Sequence, residues 1–118
     1  MSAIVLAILL IAPGDISIEQ AETFASRDEA TLQGEQAAEF FEQQGKTLGM
    51  ALYKCGVKEA CEASGLMVVM RLDAQGRVTR TWLNKQSVLG QCFEKELLSA
   101  TFPTDGRPEF YTFIGFDF

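Results

Sequence analysis

Histidine is absent from this 118-residue chain, and none of its three cysteines form a CxxC pair. Histidine is the commonest general base and a frequent metal ligand. Without it, the chain has no imidazole that could activate a catalytic cysteine. Three cysteines without CxxC spacing make neither a zinc site nor a thioredoxin-type motif. Asp73 and Asp105, the candidate acid–base carboxylates, fall in predicted turns, where Asp is common for conformational reasons. The sequence therefore predicts no enzyme, no catalytic residue, no metal site and no cofactor.

The chain also lacks an apolar run long enough to cross a bilayer as a helix. Its longest run covers residues 3–12, whereas a membrane-spanning helix needs about 20 residues. The length suits the apolar region of a secretory signal peptide, although no Lys or Arg precedes it and no clean small-x-small cleavage site follows. The alternative is a buried strand or helix of a cytosolic fold. We interpret residues 1–14 as an atypical signal or membrane-proximal segment.

Basic charge is scarce in one part of the chain. Between Asp15 and Glu42 lie eight acidic residues and a single base, Arg27, whereas residues 43–118 carry eight acids and nine bases. The whole chain has a net charge of −6, which argues against nucleic acid or an anionic membrane surface as a partner. The acidic stretch is either the solvated face of a helix or an acidic docking surface.

Helices are predicted from the spacing of apolar residues. The clearest covers about residues 31–53, where apolar residues recur at three- and four-residue steps. Gly45 and Gly49 weaken it and allow a bend or a break. A second helix covers Ser87–Thr101, capped by Ser87 and ended by the Phe-Pro pair that follows. Another helix is expected to begin at Ser17, with a Gln three residues later to complete a capping box.

Three strands are predicted around these helices. Residues 66–72 (LMVVMRL) and 77–83 (RVTRTWL) flank an Asp-Ala-Gln-Gly turn and form a hairpin, with Gly76 where a positive φ is needed. Residues 109–118 form an aromatic terminal strand. The order helix, strand, strand, helix, strand predicts an α+β fold, in which a three-stranded antiparallel sheet has both main helices packed on one face.

The ordered set of these features resembles the C-terminal domains of the TonB/TolA type. Residues 65–78 (GLMVVMRLDAQGRV) match a strand that begins near Gly, an Asp-x-x-Gly turn and a Val-containing strand. Residues 87–103 (SVLGQCFEKELLSATFP), a helix that carries a Cys and closes with Phe-Pro, are most similar to the AgmX/PglI C-terminal domain family. Residues 111–118 are similar to the aromatic last strand of both. The resemblance covers about residues 50–118, which we interpret as a TonB/TolA C-terminal-like domain. Hydropathy and charge divide the remainder into an apolar segment (1–14) and an acidic helical region (15–49).

The resemblance implies a periplasmic or envelope setting, no catalysis and envelope proteins as partners. Such domains bind by lending a sheet edge to a partner strand, and the last strand is the candidate because exposed aromatic edges otherwise invite aggregation. The predicted partner-binding residues are Phe110, Tyr111, Thr112, Phe113, Phe116 and Phe118. About half of the phenylalanines must fill the core, since alternate residues of a strand point to opposite faces. The alternative function is an assembly subunit that forms a homo-oligomer through its N-terminal apolar segment.

The resemblance also implies a disulfide between Cys55 and Cys92, which match the family's cysteines near the end of the first helix and in the second. In the chain-entropy treatment this bridge would stabilise the fold by about 3–4 kcal/mol. A Cys55–Cys61 bridge, a Cys61–Cys92 bridge and three reduced thiols remain as alternatives. The last of these would indicate a cytosolic protein.

Overall fold

The computed structural model describes residues 16–116 of the chain. The helices and strands in chain order are α1 (Ile18–Glu29), α2 (Gly34–Lys54), β1 (Met67–Leu72), β2 (Val78–Leu83), α3 (Val88–Leu97) and β3 (Phe110–Gly115). A short 3-10 turn at Ala60–Ala63 precedes β1. The interpretation of residues 1–14 and the role assigned to Phe118 lie outside the described residues and stay predictions.

The sheet has the order β2-β1-β3, and both pairings are antiparallel. The predicted α+β fold with a three-stranded antiparallel sheet is therefore confirmed. The hairpin joins β1 to β2, and the chain then passes through α3 before β3 pairs with the other side of β1. The central strand is thus β1, and β2 and β3 form the two edges of the sheet.

The turn of the hairpin is held by Asp73 and Gly76. One oxygen of Asp73, Oδ1, accepts from the backbone N–H groups of Gln75 and Arg77, each at 2.9 Å. Gly76 has φ +77°, in the left-handed region that glycine adopts most readily. A Cβ at this position would lie 1.7 Å from the carbonyl oxygen of Phe102, so the turn also requires glycine for space.

The buried side chains of residues 16–116 form two clusters, because strand residues alternate between the faces of the sheet. Val68 and Met70 of β1 belong to the larger cluster, together with Phe40 of α2 and Phe93 of α3. Val69 belongs to the smaller cluster, which consists of Ala21, Ala25, Val69, Trp82 and Tyr111. Residues of α2 and α3 thus lie together in the larger cluster, and α1, which sequence reasoning left without a position, contributes to the smaller one.

The start of α1 follows its local sequence. The Ser17 hydroxyl accepts from the Gln20 backbone N–H at 3.1 Å, and the Gln20 side chain accepts from the Ser17 N–H at 2.9 Å. Both bonds of the predicted capping box are present. Just before the helix, the Ile16 carbonyl accepts from the Trp82 indole N–H at 3.1 Å, which ties the helix start to β2.

The α2 helix runs from Gly34 to Lys54 as one element, so the break that its glycines allow does not occur. The next residue, Cys55, caps the helix, and its sulfur is bonded to that of Cys92 in α3, with a Cα–Cα distance of 5.9 Å. The predicted pairing is therefore confirmed over its alternatives, and Cys61 is a free, exposed thiol. Because such bonds persist in oxidising environments, the disulfide indicates a compartment other than the cytosol. No helix within residues 16–116 is long and apolar enough to cross a membrane.

Candidate functional site

The two outer strands of the sheet, β2 and β3, are the places where a partner strand could add. In an antiparallel ladder, residues alternate between bonding to the neighbouring strand and pointing their backbone groups away from it. At the end of β3, Phe116 exchanges backbone bonds with Leu66 and Gly65 on the β1 side. The alternation therefore directs the backbone groups of Tyr111 and Phe113 toward the outer edge.

Side chains from two helices close this outer edge of β3. The Tyr111 N–H donates to Asp28 Oδ2 at 2.9 Å, and the Phe113 N–H donates to Glu29 Oε2 at 3.1 Å. The Phe113 carbonyl accepts from the Gln44 amide at 3.2 Å. Asp28 and Glu29 lie in the last turn of α1, where negative charge opposes the helix dipole. Hydrogen bonds from the strand to both carboxylates compensate for this placement.

Thr112 joins the same network from its side chain. This residue is fully buried, and its hydroxyl donates to Glu29 while accepting from the Gln44 amide at 2.8 Å. The contact brings α1, α2 and β3 together at one point, from residues that lie far apart in the sequence. The polar residues of this edge therefore satisfy one another, and the strand has little capacity for a partner between Tyr111 and Phe113.

The structure places the side chains predicted to bind a partner mostly in the interior. Four of them are buried: Phe110, Tyr111, Thr112 and Phe116. Phe110 packs against Phe40 and Phe116 against Phe93, with ring centroids 5.2 and 5.6 Å apart. Phe113 is half-buried. The last strand thus lies at a sheet edge, as the interpretation required, but its aromatic residues serve the two cores, and their role in partner binding stays a prediction.

The outer edge of β2 is arranged differently. Beyond the end of β2, the Asn84 N–H donates to the Met67 carbonyl at 3.1 Å, on the β1 side. Alternation back from Asn84 directs the backbone groups of Thr81 and Leu83 outward. Among the residues that the structure describes, none hydrogen-bonds to these outward N–H and C=O groups. The Thr81 hydroxyl is engaged separately, because it donates to Glu94 of α3 at 2.8 Å.

Trp82 of β2 is held by contacts on the α1 side of the sheet. The indole is buried, its N–H donates to the Ile16 carbonyl just before α1, and its ring lies 5.8 Å from that of Tyr111. The guanidinium of Arg80 lies over the indole, 4.6 Å from the ring centroid. This cation–π contact places the Arg80 charge on the face of β2 that carries Trp82. The strand at this edge therefore has a positive charge fixed next to its tryptophan.

The carboxylates considered for acid–base chemistry act in turns. Asp73 accepts the backbone bonds of the hairpin turn, and the bond from the Arg77 N–H is the main cause that lowers the pKa of its carboxyl. Asp105 accepts from the Gln36 amide at 2.6 Å. Within residues 16–116, no three Cys, Asp or Glu side chains come together as the ligands of a metal ion would.

No family model, curated protein or solved structure matches the chain. The resemblance to TonB/TolA-type domains therefore stays a prediction, and the fold rests on the structure itself. Sequence reasoning missed Asp28, Glu29 and Gln44 as the residues that close one edge. For Asp28 and Glu29 a signal was available, because two acids in the last turn of a helix interact unfavourably with the helix dipole and so suggest a compensating contact.

Proposed function

We propose that this protein is a non-enzymatic protein-binding module of the cell envelope that takes up an extended segment of a partner along β2. The observation that carries the proposal is the contrast between the two edges of the sheet. The β3 edge is closed by Asp28, Glu29 and Gln44, whereas no residue within 16–116 hydrogen-bonds to the outward backbone groups of Thr81 and Leu83 on β2.

An open strand edge is a liability, because its unpaired backbone groups accept any strand that approaches. Within the described part of the chain, three side chains close one edge and none closes the other. Strand addition binds through main-chain hydrogen bonds to such an edge, and neighbouring side chains supply the specificity. The arrangement fits a binding surface better than a generally protected sheet.

The proposed setting is the periplasm or another part of the envelope. It is supported by the Cys55–Cys92 bond, by the resemblance of residues 50–118 to TonB/TolA-type domains and by the interpretation of residues 1–14 as a signal or membrane-proximal segment. The expected partners are other envelope proteins, and the net charge of −6 argues against nucleic acid.

A pair of substitutions at one position tests the binding edge. Thr81→Pro removes the outward N–H without touching a bond to β1, whereas Thr81→Val keeps that N–H; both lose the hydroxyl bond to Glu94. Peptides of twelve residues are first selected against the full chain from a displayed random library. Their affinities for both variants are then measured by calorimetry, and their positions are mapped by amide chemical shifts.

We expect the selected peptides to shift the amide signals of β2. Thr81→Pro should weaken the affinity of these peptides by about tenfold or more, since a main-chain hydrogen bond is lost and the added strand can no longer lie flat against β2. Thr81→Val should change their affinity by less than about threefold. Peptides that map to β3 or to the helices, or that bind the Pro variant as well as the Val variant, would contradict the proposal.

A further inference from the structure

We propose that the strand that adds to β2 is acidic; this inference rests on the proposed function and names the chemistry of the partner. The segment that contains β2, residues 77–85 (RVTRTWLNK), has three bases and no acid. The chain as a whole has a net charge of −6, so this segment has the opposite sign to the rest of the sequence. One acid of a neighbouring element faces it, Glu94 of α3, whose carboxylate is engaged by the Thr81 hydroxyl at 2.8 Å.

No strong ion pair with a described residue holds the three bases of this segment. Arg80 and Lys85 form no ion pair with any described residue. Arg77 has its Nε 3.6 Å from Asp73 Oδ2, but its side chain is 66% exposed. An exposed pair of this kind is weak and exchanges readily for another carboxylate.

The positions of these bases match what an added strand would present. Side chains of a strand beside β2 would lie within about 5–8 Å of those on β2, directly opposite or diagonally. The Arg80 guanidinium is already fixed over Trp82, 4.6 Å from the ring centroid, so little further ordering is needed when a carboxylate binds it. An acidic side chain of the partner that lies opposite or diagonal to Arg80 would therefore meet its guanidinium.

The same bases have a second possible role, because charges on an edge strand prevent two copies from pairing edge to edge. If that were their whole purpose, neutralising them would increase self-association and leave the choice of peptide unchanged. An acidic partner requires instead that their loss removes a preference for acidic peptides. The two roles are therefore separable by experiment.

The test uses two synthetic nine-residue peptides with matched strand propensity, Thr-Val-Glu-Val-Thr-Val-Glu-Val-Thr and its counterpart with Lys in place of both Glu. Calorimetry measures their binding to the full chain, to Thr81→Pro and to an Arg80→Gln/Lys85→Gln double variant. The matched control is Lys46→Gln/Lys58→Gln, which removes the same charge from exposed positions outside the sheet. Analytical ultracentrifugation follows self-association of each variant.

We expect the Glu peptide to bind at least about tenfold more tightly than the Lys peptide, and the ratio to fall below about threefold in the Arg80→Gln/Lys85→Gln variant but not in the control. Equal binding of both peptides, lost in Thr81→Pro, would overturn the acidic partner and leave the proposed function standing. Self-association of the double variant with an unchanged peptide ratio would also overturn it. Binding of neither peptide, or binding that Thr81→Pro does not affect, would overturn both.

Discussion

Removing the Cys55–Cys92 bond gives the most direct test of how this small fold is stabilised. The bond joins the end of α2 to the middle of α3, across 37 positions in the sequence. The perturbation is a Cys55→Ala/Cys92→Ala double variant, which removes both thiols and avoids a reactive cysteine in the interior. Cys61→Ala is the matched control, because that thiol is free and exposed.

The expected loss follows from the length of chain that the bond closes. Cross-linking residues 37 positions apart lowers the entropy of the unfolded chain by an amount worth about 4 kcal/mol at 25 °C. A domain of this size commonly has a free energy of unfolding of about 5–15 kcal/mol. The bond therefore contributes between a quarter and most of the stability, while the core between Phe40 and Phe93 remains to hold the folded state.

Urea denaturation measures this loss. The single tryptophan, Trp82, is buried under α1 and gives a fluorescence signal, and far-UV circular dichroism gives a second probe for the helices. We expect the double variant to lose about 3–4 kcal/mol with coincident transitions, and the wild type with reductant to behave in the same way. Cys61→Ala should stay within about 0.5 kcal/mol of the wild type.

Two results would refute this reasoning. A loss below about 1 kcal/mol in the double variant would mean that the unfolded chain is not constrained as the loop length implies. Alkylation of three thiols in the untreated protein would mean that the bond does not form, and the assignment to an oxidising compartment would fail with it. One alkylated thiol, at Cys61, is the expected mass-spectrometric result.

Three further predictions concern the turn and the closed edge. Gly76→Ala places a Cβ 1.7 Å from a backbone carbonyl oxygen and should lower the free energy of unfolding by about 3 kcal/mol or more in urea denaturation. The control Gly106→Ala should lower it by about 1–2 kcal/mol, because φ is also positive there but nothing lies within 4 Å. Equal losses in the two variants would contradict this prediction. Glu29→Ala should lower the free energy of unfolding by about 1–3 kcal/mol, because the Phe113 N–H loses its partner. It should also cause concentration-dependent association in ultracentrifugation, since the strand edge is then open. A variant that stays monomeric and as stable as the wild type would count against the closed edge. The Arg77 N–H bond lowers the pKa of Asp73, so the ionised carboxylate stabilises the fold at pH values above its ordinary pKa of 3.8. The difference in free energy of unfolding between the wild type and Asp73→Ala should therefore shrink as the pH falls below 3.8. A difference that does not depend on pH would refute this prediction.

The elements that sequence reasoning located correctly are those with local signals. Ser17 and Gln20 are three residues apart and form the capping box that their spacing predicts. The hairpin follows from an Asp and a Gly at fixed positions in the turn, and Gly76 has the positive φ that the turn requires. In both cases the residues that determine the structure are neighbours in the chain, so a short segment contains the information.

The features that sequence reasoning missed depend on residues that are distant in the chain. The Tyr111 N–H bonds to an acid 83 positions earlier, and no pattern within α1 indicates which strand its carboxylates meet. The position of α1 was missed for a related reason. Only Ala21, Ala25 and Asp28 are buried in it, so its apolar face is too small to predict a packing partner. The acidic stretch proves to have a divided role, since Asp28 and Glu29 bond to β3 while most of its other acids are exposed.

The contrast between the two edges also determines how many partner strands one molecule can accept. A three-stranded sheet has two edges, and a sheet with both open could be extended from either side into a chain of copies. Here the Asp28 and Glu29 carboxylates occupy one edge, so addition at Thr81 ends the sheet with a fourth strand on one side only. We therefore expect one peptide per molecule in calorimetry for the wild type, and a second site only when Glu29→Ala opens β3. A stoichiometry of two for the wild type would show that the carboxylates do not close that edge in solution.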